Sequence, residues 1–132
     1  MRFRSSTKNV GLKYGFRSGL EEKIAAELKA LGVPFQFEQR IILYAKPAKG
    51  ARYTPDFELA NGIIVETKGR FVTADRQKHI LVKEQHPNLD IRFVFSNSRA
   101  RISKKSNTTY AMWCERYGFK FADKSIPKEW TQ

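Results

Sequence analysis

Tyr53-Thr54-Pro55-Asp56-Phe57-Glu58-Leu59-Ala60-Asn61-Gly62-Ile63-Ile64-Val65-Glu66-Thr67-Lys68 carries the strongest short-range signal in the chain. Asn61-Gly62 between two strand-forming runs predicts a β-hairpin with strands over residues 53–59 and 63–68. Side chains alternate along a strand, so Glu66 and Lys68 share a face. The turn decides whether Asp56 joins them. A two-residue Asn61-Gly62 loop pairs Asp56 with Thr67 and sends it to the other face, whereas a three-residue Ala60-Asn61-Gly62 loop pairs it with Glu66. The expectation is the three-residue loop with Gly62 left-handed. Ile63-Ile64-Val65 is apolar on both faces and so reads as a buried strand, which leaves Glu66 and Lys68 at the edge of a core rather than in free solvent.

Upstream, Ser18 followed by Glu21 forms a capping box, and Leu20, Ile24, Leu28 and Leu31 recur at helical spacing before Gly32 and Pro34. That pattern predicts an amphipathic helix over 19–31. Phe35, Phe37, Ile41, Ile42 and Leu43 predict one extended strand, ending in residues 45–51, which have no period and read as a loop or linker. Downstream, a second helix is expected over 74–85, capped by Thr73 or Asp75, with Ile80 and Leu81 on its buried side and Pro87 beyond its end. Ile91-Arg92-Phe93-Val94-Phe95 alternates as a strand, and residues 96–108 form a polar loop. Tyr110, Trp113, Cys114 and Tyr117 have helical spacing with Gly118 as a stop, and Phe119-Lys120-Phe121 reads as a last short strand. These aromatic residues and Cys114 read as core, and His79 and His86 as helix-surface or helix-end residues rather than metal ligands.

The 132 residues suit one domain, here 16–132, preceded by a flexible basic arm over 1–15. With 25 Lys+Arg against 13 Asp+Glu the net charge is +12, so the partner should be a polyanion. The arm (Arg2, Arg4, Lys8, Lys13) and the 96–108 loop (Arg99, Arg101, Lys104, Lys105) carry no acid and read as contacts to nucleic-acid phosphates, which orient a backbone without reading its sequence. No apolar run reaches the roughly 20 residues of a membrane span, no secretion signal follows the basic start, and the single Cys114 forms no intrachain disulfide. A cytoplasmic setting is expected.

Asp56 and Glu66 on paired strands would offer carboxylate oxygens to a hard divalent cation, with Mg²⁺ the expected ion. Such an ion acidifies a bound water and neutralises charge on an attacked phosphate, and Lys68 beside it would hold that water or the phosphodiester oxygens. The plainer alternative is that these are solvated strand charges.

Phe16-Arg17-Ser18-Gly19-Leu20-Glu21, Tyr53-Thr54-Pro55-Asp56-Phe57, Asn61-Gly62-Ile63, Val65-Glu66-Thr67-Lys68-Gly69, Glu84-Gln85-His86-Pro87, Leu89-Asp90-Ile91-Arg92 and Phe121-Ala122-Asp123-Lys124 together resemble the phage T7 endonuclease I family of restriction-like nucleases. The resemblance spans residues 14–130. It implies a mixed sheet flanked by helices, a homodimer with exchanged elements in which residues 45–51 bridge the subunits, and resolution of four-way and branched DNA junctions with Mg²⁺ or Mn²⁺, two ions per site. It makes Asp56, Glu66 and Lys68 the core of the active site and Glu21 the fourth catalytic residue. The metal would be held by Asp56, Glu66, Glu21 and the Thr67 carbonyl, with Arg17 joining the DNA contacts and a host-cell cytoplasm as the workplace. Glu21 already has a structural task in its capping box, and both roles can hold if the first helix starts beside the metal. The competing readings are a duplex nuclease of the same fold, for restriction or recombination-end cleavage, and a non-catalytic basic DNA-binding module.

Overall fold

The computed structural model describes residues 19–46 and 49–132. The basic arm, Arg17, the expected cap Ser18, and Pro47 and Ala48 lie outside the described residues. Helix α1 (Gly19–Ala30) buries Ile24, Ala25 and Leu28. It ends where Gly32 adopts φ 69° and the Val33 N–H returns to the Leu28 carbonyl at 2.9 Å. Leu31, counted from its spacing as part of the apolar stripe, lies past the helix and is exposed.

In chain order the strands are β1 (Phe35–Phe37), β2 (Ile42–Lys46), β3 (Lys49–Tyr53), β4 (Phe57–Leu59), β5 (Ile64–Lys68), β6 (Ile91–Phe95) and β7 (Lys120–Asp123), with α2 (Thr73–Gln85) after β5 and α3 (Tyr110–Tyr117) after β6. Five strands form one mixed sheet in the order β1-β4-β5-β6-β7. The β1/β4 and β4/β5 pairs are antiparallel, while β5/β6 and β6/β7 are parallel, each parallel pair being joined through a helix. The expected mixed sheet flanked by helices is therefore the architecture found.

The hairpin turn is the three-residue one. Phe57 pairs with Val65 and Glu58 with Ile64, Gly62 has φ 93°, and its N–H reaches the Leu59 carbonyl at 2.9 Å. Consecutive residues of β5 bury themselves on opposite sides, Ile64 with the α2/α3 layer and Val65 with α1. On the α1 side, Ile24 and Leu28 meet Phe57, Val65 and Val94, with Ile126 and Trp130 sealing the edge. On the other side, Phe71 sits among the rings of Phe93, Phe95, Tyr110 and Trp113 at 4.8–5.7 Å between centroids. Tyr110, Trp113 and Cys114 are core, as expected, and burial pushes the Cys114 thiol up to about 12.

Several local expectations are corrected. The single strand over residues 35–43 is two strands, because Glu38 takes φ 52° and donates its N–H to the Asp56 carbonyl at 3.1 Å, turning the chain out of the main sheet. Residues 45–51 are not unpatterned: apart from Pro47 and Ala48 they belong to a two-stranded ribbon, β2 antiparallel to β3 from Ile42↔Tyr53 to Lys46↔Lys49. Ile42, Tyr44 and Tyr53 point inward while Leu43 and Arg52 point out, so the ribbon has the alternation of a half-buried sheet. The expected strand over 53–59 is also divided, Tyr53 closing the ribbon and β4 starting at Phe57. No side chain caps α2: its N-cap is Val72, and the Thr73 hydroxyl instead accepts a hydrogen bond from Arg76 at 3.0 Å. The buried face of α2 is Arg76, His79 and Val82, with Ile80 and Leu81 only half-buried. His79, expected on the surface, is fully buried, whereas His86 does sit at the helix end, its Nε2 2.7 Å from the Leu43 carbonyl. The last strand begins at Lys120 and runs on to Asp123, because Phe119 turns into the core.

Candidate active site

The β4/β5 register sets the site. One step beyond Phe57↔Val65, Asp56 lies opposite Glu66, and the chain bends away at Thr54-Pro55 instead of continuing the ladder. The freed groups bond across this gap. The Asp56 N–H donates to Glu66 Oε2 at 2.9 Å, and the Thr67 N–H and hydroxyl donate to Asp56 Oδ2 at 2.9 and 3.0 Å. The Tyr53 hydroxyl, arriving from β3, donates to the same Glu66 Oε2 at 2.7 Å. Glu66 Oε1 faces the other way, 3.8 Å from Lys68 Nζ. Lys68 Nζ also lies 3.8 Å from Asp75 Oδ1 in the first turn of α2, so two carboxylates flank one ammonium at the C-terminal end of the central strand.

From the opposite face, the first turn of α1 brings in Glu21. Glu21, Asp56 and Glu66 are all buried, and Lys68 is half-buried. Glu38, which sequence reading overlooked, completes a set: Glu21, Glu38 and Asp56 each offer a carboxylate oxygen within 4.8 Å of the others. Among the described residues, the acids grouped this closely thus include Glu38 and not Glu66. No sequence signal points to Glu38, because its position depends on a left-handed backbone that glutamate seldom adopts. Asp56 joins the two halves of the site, bonded to Thr67 and Glu66 on one side and close to Glu21 and Glu38 on the other.

Packing so many acids together has an electrostatic consequence. Burial, and then the Asp56 charge, push the Glu66 carboxyl up to about 8 despite the opposing pull of Lys68 and the donors on Oε2. Burial, with Lys68 and Lys78 nearby, holds the His79 imidazole well below its ordinary 6.5. Its Nε2 lies 3.8 Å from Glu66 Oε1, but an uncharged ring at that distance forms neither an ion pair nor a hydrogen bond.

The sign of the Glu66 shift yields a stability prediction. Its folded pKa of about 8 exceeds the ordinary 4.5, so between these values the folded state binds more protons than the unfolded one, and stability falls as pH rises. Glu66→Gln removes this proton-linked loss. In EDTA, the melting temperature of Glu66→Gln should exceed that of the parent at pH 8, with the gap closing towards pH 5. An equal gap at both pH values would mean that Glu66 does not titrate in this window.

Arg99, Arg101, Lys104 and Lys105 are exposed on the 96–108 loop. The start of this loop is anchored by Asp123, whose carboxylate accepts from the Ser98 N–H and hydroxyl at 2.6 and 2.7 Å. A cleft of about 380 Å³ between this loop, the segment joining β5 to α2 and the start of α3 is lined by Arg70, Arg101 and Lys104 along with Phe71, Ile102 and Tyr110. Arg70, two residues past Lys68, was also overlooked, since a lone arginine after a strand carries no sequence signal. The positions expected to touch DNA from the arm, Arg2, Arg4, Lys8, Lys13 and Arg17, lie outside the described residues.

Clustered carboxylates suit a hard cation, and a lysine with a basic cleft beside them suits phosphate oxygens, so the class this site defines is one that handles phosphate esters. The chain belongs to the Phage endonuclease I family, which it matches over residues 2–132. It is 54% identical over 117 residues to Endonuclease I of Escherichia phage T7, covering 89% of this chain and 78% of that protein. It is 53% identical over 112 residues to Endodeoxyribonuclease 1 of Enterobacteria phage T3, covering 85% and 74% respectively. The family expected from the sequence motifs is therefore the family found, and membership makes this protein an endonuclease. Among the described residues no helix is long and apolar enough to cross a membrane.

Proposed function

We propose that this protein is a divalent-metal-dependent endodeoxyribonuclease that resolves four-way and other branched DNA junctions in the cytoplasm of a host cell. One observation carries the reading: Glu21 from α1, Asp56 from the bend before β4, and Glu66 and Lys68 from β5 meet at one end of the sheet. The names of the phage T7 and T3 relatives add endonuclease and DNA.

The residues fit a hard cation. The potential donors are all oxygens, and burial together with the Asp56 charge raises the proton affinity of Glu66, a cost that a bound cation would relieve. Mg²⁺ suits such a set, with Mn²⁺ as a substitute and two ions per site, held by Asp56, Glu66, Glu21 and the Thr67 carbonyl. When bound, the metal supplies an acidified water and neutralises charge on the attacked phosphate. Lys68 adds a compact positive charge that holds the water or the phosphodiester oxygens. Asp56 and Glu66 keep their orientation through the hydrogen bonds to Thr67, Tyr53 and the Asp56 N–H. Arg99, Arg101, Lys104 and Lys105 of the loop, and Arg2, Arg4, Lys8, Lys13 and Arg17 of the N-terminal segment, bind phosphates away from the cut, and Arg70 extends that track toward the site.

A four-way junction has approximate two-fold symmetry and calls for two matched cuts, which a homodimer supplies. The β2/β3 ribbon offers a route to one. Opened between Lys46 and Lys49 and paired with the same ribbon of a second copy, it would keep every strand pair it makes within one chain while exchanging α1 and β1 between subunits. Exposed Leu43 lies on this ribbon, and exposed Ile41 directly precedes it.

The test compares a fixed four-way junction with a linear duplex of the same sequence, in Mg²⁺ and in EDTA. Paired cuts at the junction in Mg²⁺, little duplex cleavage and no cleavage in EDTA are expected. Equal cleavage of both substrates would favour a duplex nuclease, and binding without metal-dependent cleavage would favour a DNA-binding module.

A further inference from the structure

Beneath Glu66 lies a polar layer in which the chemistry above gives a task to the Tyr53 hydrogen bond alone and none to His79. Glu66 Oε2 accepts from both the Tyr53 hydroxyl and the Asp56 N–H, so Oε1 is the oxygen turned toward Lys68. Tyr53 is itself buried, 1% exposed, and its ring meets the His79 ring edge-on at 5.1 Å. His79 is at 0% exposure, also edge-on to Phe93 at 4.9 Å, and among the described residues neither of its ring nitrogens has a hydrogen-bond partner. A buried imidazole without a partner is costly, and a phenylalanine would satisfy an aromatic pocket of this kind at no such cost. Unfavourable groups of this sort persist where function needs them, and this one has its Nε2 3.8 Å from Glu66 Oε1.

We propose that Tyr53 and His79 are positioning residues for Glu66: Tyr53 locks Oε2 so that Oε1 is presented to the site, while His79 braces the Tyr53 ring and offers an N–H to Oε1. A shift of about 1 Å brings His79 Nε2 from its present separation to hydrogen-bond distance of Oε1. The two residues thus hold the carboxylate between a fixed donor on one oxygen and a donor within reach of the other. Neither touches DNA or metal; both act through Glu66, and the inference rests on reading Glu66 as a site residue.

The test uses the full chain and its Tyr53→Phe, His79→Phe, His79→Gln and Glu66→Gln variants. Three properties are read: melting temperature, kcat and KM on a four-way junction, and calorimetric affinity for Mn²⁺ in the absence of DNA. Tyr53→Phe should keep its melting temperature and KM while kcat and Mn²⁺ affinity each fall about ten- to a hundredfold, the usual loss when an outer partner of a metal-binding carboxylate is removed. His79→Phe should melt no lower than the parent yet lose kcat and Mn²⁺ affinity. His79→Gln, which returns an N–H near the position of Nε2, should recover part of both. If Tyr53→Phe retains parental kcat and Mn²⁺ affinity while Glu66→Gln is inactive, Glu66 needs no positioning and the proposal fails, although the site reading stands. If Glu66→Gln cleaves like the parent, the site reading itself fails. Should His79→Phe not fold, Tyr53→Phe and His79→Gln decide the question, and a change in KM alone in either would assign the layer to substrate binding and overturn the proposal.

Discussion

Alanine in place of Asp56, Glu66 or Lys68 is expected to lower junction cleavage at least about a hundredfold, the loss typical of removing a preorganised charge from a transition state. The three variants should reach that result by different routes. Lys68→Ala removes the ammonium 3.8 Å from Glu66 Oε1, the nearest positive charge opposing the upward shift of the Glu66 carboxyl. Glu66→Ala leaves the Tyr53 hydroxyl and the Asp56 N–H without their acceptor. Asp56→Ala strands two donors of Thr67 and also relieves a like charge beside Glu66. A buried donor left unsatisfied costs about 1–3 kcal/mol, so the Asp56 and Glu66 variants should be assayed well below their melting temperatures. Binding is a separate property, which the proposed function assigns to the basic loop and arm. Measured in Ca²⁺, junction affinity of each variant should stay within about tenfold of the parent, since sequence-independent affinity comes from the phosphate contacts. Full cleavage by any one of the three would remove that residue from the site, and a collapse of affinity in Ca²⁺ would mean that the loss of cutting reports lost binding.

The second large effect concerns how two copies combine. Within one chain, Glu21 lies close to Asp56, and the ribbon that joins their two halves of the fold pairs β2 with β3 from Ile42↔Tyr53 to Lys46↔Lys49. If two copies open and exchange this ribbon, each site takes Glu21 from one chain and Asp56, Glu66 and Lys68 from the other. Glu21→Ala and Asp56→Ala chains, co-expressed with different tags and purified as the mixed dimer, distinguish the arrangements. Under exchange, one site carries both substitutions and the other carries neither, so nicking should return from two inactive parents while paired cuts do not. If every site is built within one chain, each carries one substitution and the mixed dimer stays as inactive as its parents. The contrast is between activity and its absence, so modest differences in stability cannot imitate it.

What the sequence determined by itself was whatever neighbouring residues decide. Asn61-Gly62 marked the hairpin, and of its two possible loops the expected three-residue one is found, with the register that places Asp56 opposite Glu66. Leu20, Ile24 and Leu28 formed α1 as spaced, and Gly118 stopped α3 in the left-handed conformation that glycine permits. Motif by motif, residues 14–130 also carried enough of the family pattern to name the family and the four expected site residues. The tertiary structure alone decided what meets across the chain. Tyr53 reaches Glu66 because the ribbon folds over α2, and the ribbon's alternation could not be recognised in a stretch rich in lysine, glycine and proline. Glu38 comes near Glu21 and Asp56 only because the backbone turns at a φ that its residue type does not advertise. His79 reads as one polar residue on a mostly polar helix, and its complete burial follows from the Phe93 and Phe119 rings supplied by other elements. Helix and strand periods are properties of a few consecutive residues, whereas the surroundings of a buried side chain are set by elements distant in sequence, which no local period encodes.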